Sequence, residues 1–403
     1  MAESRYKERI MHQPLTLPQA DPDSLAHSRE VAAFLRDRIA ETGSISFAEY
    51  MHHCLYAPGL GYYAAGATKF GQAGDFVTAP EVSSLFGALL ARQCAGVLAQ
   101  LDAPAILEVG AGSGKLAADV LEALANDDAL PTGGYRILEV SPELQQRQRQ
   151  LLADRVPELL DAVEWLDALP DGFAGVVIAN ELLDALPVER FVRRDDGIRQ
   201  VCVTSADGGF GLEEREAPAR LASAVEHIEQ SLGGRLPDGY ASEVCLAAAP
   251  WVAELAGSLA QGVAFLFDYG VGRREYYGAD RSGGWLRCHF RHHVHDDPLI
   301  LPGIQDLTSW VDFTTIAEAA VGDGLDIAGF VTQAQFLLAA GLDEALADFA
   351  EMPTVAQLRL SAEIKLLTLP TEMGENFKCL GLMRGELEPP GAFGRADRTA
   401  TLG

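Results

Sequence analysis

The sequence predicts an α/β fold: a doubly wound, mostly parallel sheet with helices on both faces. Three observations predict it. First, Ala105-Ile-Leu-Glu-Val-Gly-Ala-Gly-Ser-Gly-Lys115 passes from a short apolar run into three alternate glycines and then a helical stretch over 116–124. Strand, tight glycine turn and helix open such a domain, with its ligand beyond the strand's carboxyl end. Glycine is needed there because the chain bends sharply and a ligand must come close to the backbone. Second, Tyr135-Arg-Ile-Leu-Glu139 and Val163-Glu-Trp-Leu-Asp167 are further apolar-rich runs that each end in an acid. Third, Ala174-Gly-Val-Val-Ile-Ala-Asn180-Glu181 is almost wholly apolar until its last two residues. Such a run suits a parallel strand covered on both faces.

In chain order, residues 1–23 are polar with three prolines and read as a mobile arm. Val31, Phe34, Leu35 and Ile39 recur at helical spacing, Gly43 supplies a stop, and a second helix starts near Ser46. With a glycine-rich loop they make up 24–104, a helical cap placed over the sheet. Leu85–Leu101 is a helix leading into the first strand, and 142–152 the helix after the second. Residues 187–245 break the βα alternation. Two β-like runs there, 199–204 and 210–214, flank Asp207-Gly-Gly and predict a hairpin within a substrate-side insertion. Leu246–Leu259 reads as a helix, Val263–Gly270 as the fifth strand with Asp268 near its end, and 325–330 and 377–383 as the last two strands. The core spans 105–385, and 386–403, with Pro389-Pro390, reads as a loose tail.

Composition excludes several function classes. With 403 residues and 48% apolar content, the chain carries a full core plus added elements. A net charge of −27 argues against nucleic acid, because phosphate contacts need a surplus of Lys and Arg, and favours a basic acceptor. No apolar run is long enough for a membrane span. The first twenty residues lack a secretory apolar segment, so a bacterial cytoplasmic location is expected. The six scattered cysteines fit reduced thiols. His289, His292, His293 and His295 lie among aspartates, but none has a metal-ligand spacing, so no metal is expected.

The glycine loop discriminates among cofactors. A Walker phosphate loop needs Gly at 109 and Ser or Thr at 116, where Val109 and Leu116 stand. A dinucleotide fingerprint needs its third glycine three residues after the second, yet Gly114 follows Gly112 by two. Glu108-x-Gly110-x-Gly112-x-Gly114 instead resembles the S-adenosylmethionine site of class I methyltransferases. In that reading Glu139 accepts hydrogen bonds from the ribose hydroxyls, Asp167 and Ala168 meet the adenine, and Asn180 closes the site. Gly74-Asp-Phe-Val-Thr78-Ala-Pro-Glu81, the glycine loop and Asn180-Glu-Leu-Leu-Asp184-Ala-Leu-Pro187 together resemble the MidA family, from about residue 24 to 385. That family includes a mitochondrial methyltransferase that dimethylates an arginine during respiratory complex I assembly. The resemblance implies a Rossmann-like seven-stranded sheet with an antiparallel last strand, S-adenosylmethionine as cofactor and S-adenosylhomocysteine as product. It also implies that Gly74, Asp75, Phe76 and Thr78 lie near the methionine end. The family motif that covers Asp306 and Asp312 usually has His where this chain has Trp310.

For the acceptor, guanidinium keeps its charge in water and must be held by carboxylates that orient it. Glu181 and Glu189, eight positions apart around Pro187, resemble the paired glutamates of protein arginine methyltransferases, with Asp184 a third candidate. Asp268 and Tyr269 are placed along the acceptor channel by position. The expected partner is a protein with an exposed arginine, a respiratory complex I subunit or its counterpart. A small-molecule or other side-chain acceptor, and a non-catalytic cofactor-binding assembly factor, stay open, as does the oligomeric state, because a cofactor core does not name its acceptor.

Overall fold

The computed structural model describes residues 17–64, 78–206 and 208–403. Its central sheet comprises β1 (Ala105–Val109), β2 (Tyr135–Leu138), β3 (Val163–Leu166), β4 (Phe173–Asn180), β5 (Leu259–Val271), β6 (Asp326–Thr332) and β7 (Phe377–Arg384). Their spatial order is β3-β2-β1-β4-β5-β7-β6, with a two-residue strand, Val311–Asp312, pairing beside the end of β5. β1 to β5 run parallel to their neighbours, and β7 is antiparallel to both β5 and β6. The central strands sit closely at their feet: a Cβ at Gly175 would lie 1.9 Å from the Ala105 carbonyl oxygen, and one at Gly262 1.8 Å from that of Gly175.

Helices cover both faces, as the two-sided burial of β4 requires. One face packs against α3 (Ser84–Leu98), α4 (Lys115–Asn126), α5 (Pro142–Arg155) and α9 (Gln333–Ala339). The other packs against α7 (Ala248–Ser258) and α8 (Phe313–Gly322). α5 shows how locally its start is specified. Ser141 caps the Leu144 N–H, Pro142 opens the first turn and Glu143 complements the positive helix end.

The insertion forms its own antiparallel sheet. Gly197–Ala206 and Gly209–Glu216 make the hairpin, Glu189–Arg194 and Ala241–Val244 extend it, and Ile45–Ser46 pairs with Cys202 and Val203 on the same edge of Gly197–Ala206 that Glu189–Arg194 uses. α6 (Ala219–Leu232) packs on it. The N-terminal helices α1 (Pro22–Thr42) and α2 (Phe47–Tyr56) differ from expectation. Val31, Leu35, Phe47, Tyr50 and Met51 are buried with Val188, Val203, Cys288 and Leu307, not against the central sheet. The apolar face that the insertion presents, through Val188 and Val203, is what these helices cover. Most of the expected arm, 1–16, lies outside the described residues. Asp21 caps α1 and pairs with Arg291 at 2.6 Å.

The tail is a correction. Residues 386–403 are pinned, not loose: Phe393 is buried against Phe265 and Phe336, Asp397 accepts from the Phe330 N–H at 2.8 Å, and Arg398 pairs with Glu375 at 2.5 Å. Phe393 fills space left by two glycines, since a Cβ at Gly329 or Gly381 would lie 2.5 or 2.4 Å from it.

The histidine-rich stretch forms a small sheet, Arg287–Phe290 between His293–His295 and Asp306–Thr308. Among the described residues no group of three or more His, Cys, Asp or Glu is arranged to hold a metal ion, and no helix is long and apolar enough to cross a membrane.

Candidate active site

A cavity of about 600 Å³ opens over the carboxyl ends of β1, β2 and β4. Its floor is the glycine turn. Gly110, Gly112 and Gly114 have φ of 70°, 53° and 84°, a left-handed conformation that costs a side-chain-bearing residue about 1–2 kcal/mol. Space adds to the requirement, since a Cβ at Gly110 would sit 3.0 Å from Leu182 and one at Gly114 3.2 Å from the Gln148 backbone. The Ser113 hydroxyl donates to Glu81 at 2.5 Å, tying the loop to the one-turn helix Ala79–Val82.

Two acids of this half are held by neutral partners. Glu108, buried under the loop, accepts from the Tyr135 hydroxyl at 2.6 Å, and burial pushes its carboxyl up to about 7. Glu139, just beyond β2, accepts from the Ser141 N–H at 2.9 Å and from the Gln148 amide at 3.1 Å. Gln148 also reaches the Gly112 carbonyl at 3.0 Å, so one side chain fixes both the loop and the acid. Val140, 76% exposed, stands next to Glu139 on the cavity wall. Asn180 donates to Glu181, while its Oδ1 is buried without a protein partner.

The far half of the cavity is built from carboxylates and tyrosines. Glu181, half-buried with φ 52°, accepts from the Ala79 N–H at 3.3 Å and the Asn180 amide at 3.2 Å. Burial first, then the Asp184 charge, push Glu181 up to about 8. Asp184 is buried beside it and held well above the usual carboxylate range by burial and by the Asp268 and Asp306 charges. Asp268, wholly buried near the end of β5, accepts from the N–H groups of Leu183, Asp184 and Tyr269 and so fixes the loop after β4. The Tyr269 hydroxyl lies near both carboxyls and offsets part of the rise that burial imposes on Glu181 and Asp184. Tyr56 and Tyr63 stack at 5.6 Å, the first donating to the Ala185 carbonyl and the second to Asp306 at 3.0 Å.

The predicted residues therefore fall into three groups. Glu108, Gly110, Gly112, Glu139, Asn180, Glu181 and Thr78 line the cavity, with Gly114 at the loop's end and Asp184 behind the wall. Asp167 and Ala168 are exposed beyond β3 and do not line it, and Glu189 accepts from Gln200 at 3.0 Å on the insertion sheet. Gly74, Asp75 and Phe76 lie outside the described residues. Sequence reasoning missed Tyr56, Val140 and Gln148, and gave Asp306 no part in the site. Only Gln148 left a signal: an amide one turn beyond Gln145 on a helix that starts at the cavity.

Comparison with known proteins identifies the cofactor. Residues 89–331 match the model of a family of S-adenosyl-L-methionine-dependent methyltransferases. Proteins named protein arginine methyltransferase NDUFAF7, mitochondrial, are 31% identical in Danio rerio, over 88% of this chain and 87% of that one, and 33% identical in Mus musculus, over 89% and 86%. A crystal structure from Burkholderia thailandensis with S-adenosyl-homocysteine bound is 41% identical over 96% of this chain and 100% of that chain, with a TM-score of 0.89. The residues present fit the cofactor: an open glycine cradle, a carboxylate fixed at its edge, an exposed apolar side chain beside that carboxylate, and the unpartnered Asn180 oxygen. When bound, S-adenosylmethionine supplies a methyl group on a sulfonium, an electrophile that needs only a positioned acceptor. This chain belongs to the family of S-adenosyl-L-methionine-dependent methyltransferases, and its α/β fold is that of class I.

Proposed function

We propose that this chain methylates an arginine side chain of a protein acceptor, as the names of its relatives state for them. The observation that carries this reading is the far half of the cavity. Glu181, half-buried at the wall, and Asp184 and Asp268, buried behind it, are carboxylates whose strongest electrostatic neighbours are one another, not cations. Crowded buried anions are unfavourable unless neutralised, by protons or by a cation that arrives with the ligand. A guanidinium meets that need: it stays charged at all working pH values and offers planar donors to a carboxylate.

In this reading Glu181 grips one edge of the guanidinium, while Tyr56 and Tyr63 line the approach. Gripping one edge localises the positive charge there and leaves electron density on the nitrogen facing the cofactor. Glu181, pushed up to about 8, is also suited to take the N–H proton released after transfer. The acceptor implied by the family resemblance is a subunit of respiratory complex I or its bacterial counterpart. We place the reaction in the bacterial cytoplasm, where the free cysteines would stay reduced.

The test is to incubate the purified protein with methyl-labelled S-adenosylmethionine and extract from cells lacking this gene. Methylarginine in a protein band is the expected result. Label confined to a small molecule overturns the arginine acceptor and leaves the methyltransferase in place.

A further inference from the structure

α10 (Thr354–Thr368), between β6 and β7, buries only Leu367. Positions 355, 358, 362 and 366 share one helical face, and 369 continues it. They are Val355, Leu358, Ala362, Leu366 and Leu369, an apolar strip turned to solvent, with Val355 80% and Leu358 68% exposed. A contiguous exposed apolar strip with a polar rim marks an interaction surface.

The strip is fastened to the cavity edge. Glu363, on the same helix, accepts from the Ser83 hydroxyl at 2.7 Å. Ser83 ends the turn whose Pro80 and Glu81 line the cavity and whose Ala79 N–H reaches Glu181. The rim is acidic. Between 342 and 372 the sequence carries six carboxylates against two cations, Arg359 and Lys365, and Arg359 is paired with Glu363 at 2.8 Å. Asp343, Glu344, Asp348 and Glu351 are exposed, and the Gln357 amide ties their segment to α10 through the Ala350 and Met352 carbonyls.

We infer that α10 and the acidic segment before it dock the acceptor protein, through a partner segment with an apolar strip flanked by basic side chains; this rests on the protein-acceptor reading above. Charge complementarity selects the occupant. A second copy would set this acidic face against another chain of net charge −27, whereas a basic segment is attracted to it. Docking there holds the acceptor beside the turn that touches Glu181.

The experiment is the labelled-extract assay with the double variant V355E/L358E, alongside the charge-reversal variant D348K/E351K. Each is checked for S-adenosylmethionine affinity by calorimetry, for thermal unfolding and for mass by light scattering. The expected result is at least a tenfold loss of protein labelling in both, with cofactor affinity, unfolding and mass unchanged. If one variant misfolds, the other decides. Wild-type labelling in both variants overturns the docking surface and keeps the arginine reading. A wild-type dimer that V355E/L358E converts to monomer assigns the strip to a second copy and overturns the proposal too. If wild type labels no protein, the acceptor reading falls and this inference falls with it.

Discussion

The two halves of the cavity use acids in opposite ways. On the cofactor side Glu139 and Glu108 are each met by neutral donors from residues near them in the fold: Ser141 and Gln148 for one, Tyr135 for the other. On the far side the Asp184 charge raises the proton affinity of Glu181, Glu181 raises that of Asp268, and Asp268 and Asp306 raise that of Asp184. The first arrangement is complete in itself without a cation. The second is complete only with a proton or a cation. An enzyme that binds a cofactor in every cycle but must select its acceptor can place the electrostatic demand on the acceptor side. Occupation by the wrong, neutral molecule then leaves buried charges unmet.

Paired substitutions break this comparison most directly. Glu181→Gln removes the charge that the acceptor answers and keeps the shape, so turnover falls by about 100-fold or more, the range for loss of a group that both positions and exchanges a proton. Cofactor affinity by calorimetry stays within about twofold. Glu139→Gln gives the reverse signature: cofactor affinity falls about tenfold, the scale of one charge-assisted hydrogen bond, while turnover at saturating cofactor persists. Unchanged turnover in Glu181→Gln, or equal damage to both steps in both variants, removes the division into halves.

pH sharpens it. Burial and the Asp184 charge push Glu181 up to about 8, and a guanidinium beside it favours the ionised form, so acceptor binding on the proposed reading releases a proton. The sign follows: kcat/KM for the acceptor rises with pH, by up to about tenfold per unit below 8, and levels above it. Cofactor affinity, set by the other half, has no reason to follow the same curve. A profile of kcat/KM from pH 6 to 9 that is flat, or that falls, rules out Glu181 as the group that meets the cation.

The two halves also differ in how far the sequence reveals them. The glycine loop, Glu108, Glu139 and Asn180 sit on or just after strands whose apolar runs are themselves the signal, so strand order places them together. The far half is assembled from four distant segments, around 56–63, 181–184, 268–269 and 306. No periodicity links Tyr63 to Asp306, which only the packing of the small sheet against α2 brings within 3.0 Å. The tail failed for a related reason. Pro389-Pro390 and a polar composition favour a loose reading, while the evidence against it lies in Gly329 and Gly381, whose missing side chains leave room for Phe393. Glycine read alone marks flexibility; two glycines on paired strands mark a place where something else packs.

The smallest expected effect concerns Glu189, where sequence spacing and geometry part. Its distance from Glu181 in the chain resembles a paired-glutamate clamp, but Pro187 and Val188 carry the chain out of the core and into the insertion sheet. There Glu189 pairs in register with Val244 and accepts from Gln200 on the neighbouring strand. A carboxylate held by a partner on another sheet cannot grip a guanidinium at the cavity without leaving that partner. Glu189→Gln can still exchange a hydrogen bond with Gln200, so turnover changes by less than about threefold and stability by less than about 1 kcal/mol, the scale of one part-exposed polar contact. Measured side by side with Glu181→Gln, a comparable loss in Glu189→Gln requires the insertion to move on acceptor binding and bring both glutamates to one guanidinium. A large difference between the two leaves Glu181, backed by Asp184, as the acceptor-facing acid on this strand end.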